Sequence, residues 1–109
     1  MSMKKIFIAG PYTLGDVAQN VKIAMDMANQ LIDLGFAPYC PHLTHFLHMN
    51  HFQPYEKWLE LDLVYLAFCD AIIRLPGASN GADGEVRRGV VLKIPVFYDL
   101  QSLLEWRSK

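Results

Sequence analysis

Two carboxylates in this chain stand out by their neighbours. Asp62 lies in Trp58-Leu59-Glu60-Leu61-Asp62-Leu63-Val64-Tyr65-Leu66, a stretch with helical periodicity. On a wheel of about 100° per residue it falls within the arc of Trp58, Leu59, Tyr65, Leu66 and Cys69, with Glu56 and Glu60 on the far side. A carboxylate on a buried face is costly unless paired or protonated, so the pattern predicts a raised pKa and suits a general acid. The plainer alternative is a buried Asp that caps a neighbouring loop. Glu85 is placed in the first turn or so of the helix that follows Ser79-Asn80-Gly81. There the helix dipole would keep it ionised, as a nucleophile must be. Its plain alternative is a favourable charge–dipole contact. A capping box is excluded, because Ala82 stands where Ser or Thr is needed.

The loops around these residues offer ligand contacts. Ser79-Asn80-Gly81 precedes a helix N-terminus, whose free N–H groups and dipole favour an anion such as phosphate. It carries neither the Gly-x-Gly-x-x-Gly fingerprint nor the Walker pattern. In Gly10-Pro11-Tyr12-Thr13, Gly10 would let backbone approach a ligand and Tyr12 would bring a phenol to the crevice mouth. A turn glycine and a half-buried tyrosine are the alternative. His42, His45, His48 and His51 recur at every third residue. Helical steps of three rotate by about 60° each, so at most two neighbours share a ligand geometry, and nothing nearby completes a zinc set. No metal and no cofactor are expected; a single histidine at the crevice rim is. Asp70 stands before a strand that would carry it about 16 Å below the crevice, and it is read as structural.

These residues need a scaffold, and the pattern supplies alternating strands and helices. Strands are expected over Ile6–Ala9, Phe36–Cys40, Ala71–Leu75 and Ile94–Tyr98. Helices are expected after Asp16, over Tyr55–Phe68, Ala82–Leu92 and Gln101–Arg107, with Pro41–Gln53 as a loop. Gly35 takes the place after the first helix, and Pro38 demotes the second strand to a sheet edge. The result is an α/β, flavodoxin-like or Rossmann-like three-layer sandwich with a four-stranded parallel sheet of order 2-1-3-4. Its topological switch lies between strands one and three, where Gly10–Gly15 and Pro76–Gly81 emerge.

Composition narrows the function classes. The 109 residues fit one domain, 1–109. With 52% hydrophobic and 19% charged residues, disorder is excluded. A net charge of −1 offers no electrostatic footprint for nucleic acid or an anionic membrane. Apolar runs fall short of the ~18 residues of a membrane span, and Ile6–Ala9 is too short for a signal-peptide core. Two cysteines, Cys40 and Cys69, without Cys-x-x-Cys spacing suggest a reduced, cytoplasmic protein. The apolar surplus predicts a homodimer or larger homo-oligomer, with the faces of Met25, Met27 and Trp58 as contacts.

Taken together, Ile6-to-Tyr12, the Asp62 helix and Ser79-x-Gly81-x-x-x-Glu85 resemble the nucleoside 2-deoxyribosyltransferase superfamily. The likeness is closest to its nucleoside 5′-monophosphate N-glycosidase branch and to related short bacterial and phage proteins. The resemblance implies Glu85 as nucleophile, Asp62 in the active site and Tyr12 orienting the glutamate. It also implies Gly10, His45, Ser79 and Gly81 as substrate contacts. Ser79 replaces the aspartate of the true transferases, as in the monophosphate glycosidases, where serine and nearby N–H groups hold the 5′-phosphate. The implied activity is cleavage or transfer at the N-glycosidic bond of a (deoxy)nucleoside 5′-monophosphate. Four strands are expected where the superfamily usually has five, and Arg87-Arg88 replace its usual small residues. Two rivals stand beside it. One is a non-catalytic nucleotide-binding module on the same fold. The other is a cytokinin-type phosphoribohydrolase, whose Pro-Gly-Gly-x-Gly-Thr-x-x-Glu motif Pro76–Gly81 matches poorly.

Overall fold

The computed structural model describes residues 3–109; Met1 and Ser2 of the expected domain lie outside the described residues. Its elements are β1 (Lys5–Ala9), α1 (Val17–Asp33), β2 (Ala37–Tyr39), a 3₁₀ turn (Pro41–Leu43) and α2 (Thr44–Asn50). They continue with α3 (Tyr55–Leu66), β3 (Ala71–Arg74), α4 (Asn80–Val91), β4 (Val96–Phe97) and α5 (Leu100–Arg107). The four strands form one parallel sheet of order β2-β1-β3-β4, the order expected from the sequence.

The β-branched and aromatic run of β1 is buried on both faces, as a central parallel strand should be. Alternation along it divides the core in two. Ile6 and Ile8 join Ala24, Leu31 and Phe36 under α1, with Leu103 of α5 on the same side. Phe7 and Ala9 point the other way, onto Leu66 of α3, Ile72 of β3 and Ala82 of α4. The molecule is therefore a three-layer sandwich, with α1 and α5 on one face and α3 and α4 on the other. α4 lies tight on the sheet at Gly89, where any side chain would run into Ile72.

Local chemistry sets the boundaries that matter to the crevice. The Asp16 carboxylate caps α1 by accepting from the Gln19 N–H at 3.2 Å, and Gly35 turns the chain out of that helix at φ +90°. Pro38 sits in β2, which pairs with β1 alone, so its missing N–H faces no strand. Asp70 accepts from the Lys5 N–H at 2.7 Å and ties the lower ends of β1 and β3 together.

Three stretches differ from the expectation. The segment 41–53 is not a loop: Pro41 opens a 3₁₀ turn, which runs into α2. No residue of α2 is buried, so it has no amphipathic stripe by which to be read. α4 starts at Asn80 rather than near Ala82, because Ser79 is its cap and its Oγ accepts from the Ala82 N–H at 3.0 Å. β4 shrinks to two residues at the sheet edge. Among the described residues no helix is long and apolar enough to cross a membrane.

Candidate functional site

The carboxyl ends of β1 and β3 open into a cavity of about 500 Å³, closed on its sides by the 3₁₀ turn, α3 and the start of α4. This is the switch point of the sheet, where the chain leaves β1 toward one face and β3 toward the other. Gly10, Tyr12, Ser79 and Gly81 line it, together with Asp62 and Glu85.

Asp62 reaches the cavity from the inner face of α3 and is only 6% exposed. Burial pushes its pKa up to about 7, and the nearby Tyr39 hydroxyl partly offsets the rise. Its Oδ1 has no hydrogen-bond partner among the described residues. Glu85 projects from the second turn of α4 and is also 6% exposed. Its pKa is pushed up to about 8 by burial first and by the Asp62 charge second, with Arg74 acting in the opposite direction. The expectation of a dipole-ionised Glu85 is therefore reversed. Placed one turn deeper than expected, it is buried beside a second carboxyl, and desolvation outweighs the helix dipole. Two buried carboxyls in one cavity do not both ionise readily, so near neutral pH at least one of them keeps its proton.

The loop after β1 is held by its neighbours. The Asn20 amide group donates to the Tyr12 and Leu14 carbonyls at 2.9 and 2.8 Å. The Tyr12 hydroxyl and His45 Nδ1 form a 2.6 Å hydrogen bond. Gly10 has a packing reason of its own: a Cβ there would stand 2.9 Å from Leu75. The loop after β3 is braced by Arg74, which donates to the Leu75 and Gly77 carbonyls and to Asp83. Arg87 and Arg88 are exposed and do not line the cavity.

The four histidines separate. His42 lines the cavity, 5% exposed, and its Nε2–H donates to the Pro11 carbonyl at 2.9 Å. Burial lowers its pKa, so it is neutral, with Nδ1 an acceptor lacking any partner among the described residues. His45 stands outside the cavity lining and touches it only through Tyr12. His48 Nδ1 accepts from the Trp58 indole N–H at 2.8 Å, and His51 is exposed. Among the described residues no three His, Cys, Asp or Glu side chains converge as a metal set.

Wall residues absent from the expected site include His42, His48, Tyr55 and Trp58. Trp58 was legible, since it stands four residues before Asp62 and so shares its helical face. It forms part of the cavity wall, and Met27 packs, partly buried, against the core. His42 had a weaker signal, its position immediately after β2 and Pro41.

Residues 4–99 match the family described as a domain of unknown function, DUF7768. No curated protein matches the chain. Among solved structures, the 2-deoxyribosyltransferase of the psychrotolerant bacterium Bacillus psychrosaccharolyticus superposes with a TM-score of 0.64. The identity is 21%, over 84% of this chain and 69% of that one, a likeness of fold.

The raised carboxyls give a stability signature. Between the ordinary carboxylate range and pH 8 the folded chain binds protons at Asp62 and Glu85 that the unfolded chain has released. Their contribution is full in acid and is lost as pH rises through about 7 to 8. Denaturant melts should show Glu85→Gln gaining stability relative to the parent as pH rises from 5 to 8, with a slope approaching ~1.4 kcal/mol per unit. A pH-independent difference would contradict the buried, proton-holding state of Glu85.

Proposed function

We propose that this chain, which belongs to the DUF7768 family, cleaves or transfers at the N-glycosidic bond of a (deoxy)nucleoside 5′-monophosphate. The observation that carries the reading is the pairing of Asp62 and Glu85 in one switch-point cavity beside the N-terminus of α4. Support also comes from the fold shared with a 2-deoxyribosyltransferase.

Glu85, with the higher pKa, holds the proton at rest. The productive form is the minor one in which the proton has passed to Asp62 and Glu85 is anionic, a shift in the direction that the Arg74 charge acts. Glu85 attacks the anomeric carbon as the bond to the base nitrogen breaks, through an oxocarbenium-like transition state. The bonding pair leaves with the base, and Asp62 delivers its proton to that nitrogen. Water then cleaves the glycosyl ester, giving its proton back to Asp62; a second base attacking in its place makes the reaction a transfer. Tyr12, fixed by His45 and by the loop that Asn20 holds, orients Glu85. Ser79 keeps its hydroxyl hydrogen free for the 5′-phosphate, because its oxygen is the acceptor in the cap. The amides of Asn80 and Gly81 complete that contact. No cofactor or metal enters these steps. Nucleic acid and membranes are not partners in this reading, and Cys40 and Cys69, both free, suit the reducing cytoplasm.

The reading includes a homodimer or larger homo-oligomer. Exposed apolar side chains gather along 46–68, among them Phe46 and Met49 on α2, Phe52 just after it, Val64 on α3 and Phe68 just beyond its end. Sedimentation at tens of micromolar should show species of at least twice the 12.4 kDa chain. A monomer alone at that concentration contradicts the oligomer.

The activity is tested by incubating the protein with a panel of nucleoside 5′-monophosphates and following free base. The parent should release base, and Glu85→Gln should bind within about tenfold yet lose turnover by orders of magnitude. Binding without turnover by the parent would favour a nucleotide-binding module. Full activity of Glu85→Gln would remove the nucleophile assignment.

A further inference from the structure

Tyr55 opens α3 and leans across the cavity onto the first turn of α4. A Cβ placed on Gly81 would stand 2.5 Å from the Tyr55 hydroxyl oxygen, so that hydroxyl occupies the space where any other residue would carry a side chain. The phenol lines the same cavity as Asp62 and Glu85. Its hydroxyl makes no hydrogen bond among the described residues, although it lies beside the polar start of a helix.

The amides at that start are unequally available. The Ala82 N–H is taken by Ser79 Oγ at 3.0 Å and the Asp83 N–H by the Ser79 carbonyl at 3.0 Å. The Asn80 and Gly81 N–H groups remain, and the Tyr55 hydroxyl packs against the second of these residues. An independent sign that the cavity is built for a ligand is Asp62 itself, more than nine-tenths buried, lining the cavity, with an oxygen that has no partner. An anion entering here meets the negative charge of the carboxyl pair, so each neutral donor beside it counts. Burial and the charges of Glu85 and Asp62 raise the Tyr55 pKa and keep the phenol a donor.

We propose that Tyr55 donates its hydroxyl hydrogen to the anionic group held at the Asn80 and Gly81 amides, and that Gly81 lacks a side chain in order to admit it. Tyr55 is then a specificity residue, selecting a phosphorylated ligand over its neutral counterpart. This rests on the phosphate reading of the preceding subsection.

The test is calorimetric titration of the common deoxynucleosides and their 5′-monophosphates, in a Glu85→Gln background so that no ligand is consumed. Tyr55→Phe should weaken the monophosphates by about tenfold and leave the nucleosides within about twofold. Gly81→Ala should do the same by displacing the phenol, with a melting temperature close to the parent's because the obstructing atom is the free end of a side chain. A monophosphate preference unchanged by Tyr55→Phe would overturn the Tyr55 proposal and leave the phosphate reading standing. Equal affinity of the parent for nucleosides and monophosphates would overturn both.

Discussion

Taking a carboxylate out of water costs several kcal/mol unless donors or opposite charges replace the solvent. Asp62 and Glu85 are both buried in one cavity, and neither forms a salt bridge among the described residues. What replaces water is sparse: the Tyr39 hydroxyl near Asp62 and the Arg74 charge near Glu85. The system meets the remaining cost by retaining a proton. A carboxyl pair that keeps one proton near neutral pH holds an acid and a base in the same space, the combination a glycosidic cleavage requires.

The scaffold is arranged so that this pair can exist without unravelling its supports. β1 and β3 are the most buried strands, and their carboxyl ends diverge to opposite faces, leaving a crevice that no connection crosses. α3 and α4 pack on one face and bring their carboxyls to the crevice from two sides. Every loop at the rim is fastened by a side chain: the β1 loop by Asn20, the 3₁₀ turn by His42 on Pro11, the β3 loop by Arg74. Outward from these the chain is ordinary, with exposed arginines on α4 and an apolar face on α2 and α3.

The sheet was legible because its strands are short, pure apolar runs ended by Gly-Pro or Pro-Gly, and because Pro38 marks an edge. Asp62 was legible from period alone, a charge in the middle of an apolar arc. α2 was hidden, since a helix with no buried residue carries no stripe. The depth of Glu85 depended on where α4 begins, and that is fixed by the Ser79 cap, a contact that sequence offers only as one choice among several. Equal spacing made the four histidines look alike. The 3₁₀ turn at Pro41, invisible in the pattern, turns His42 into the cavity and His45 onto Tyr12. Tyr55 was unread because its approach to Gly81 brings together two different helices.

The central claim is that Glu85 forms a covalent bond to the sugar. It is tested most directly by trapping with a slow 2-fluoro-2-deoxy nucleoside 5′-monophosphate, followed by intact-mass and peptide mass spectrometry. The account expects one sugar-phosphate adduct per chain, on the peptide that contains Glu85, and none on Glu85→Gln. Base release from this substrate with no adduct, or an adduct that persists in Glu85→Gln, would contradict it.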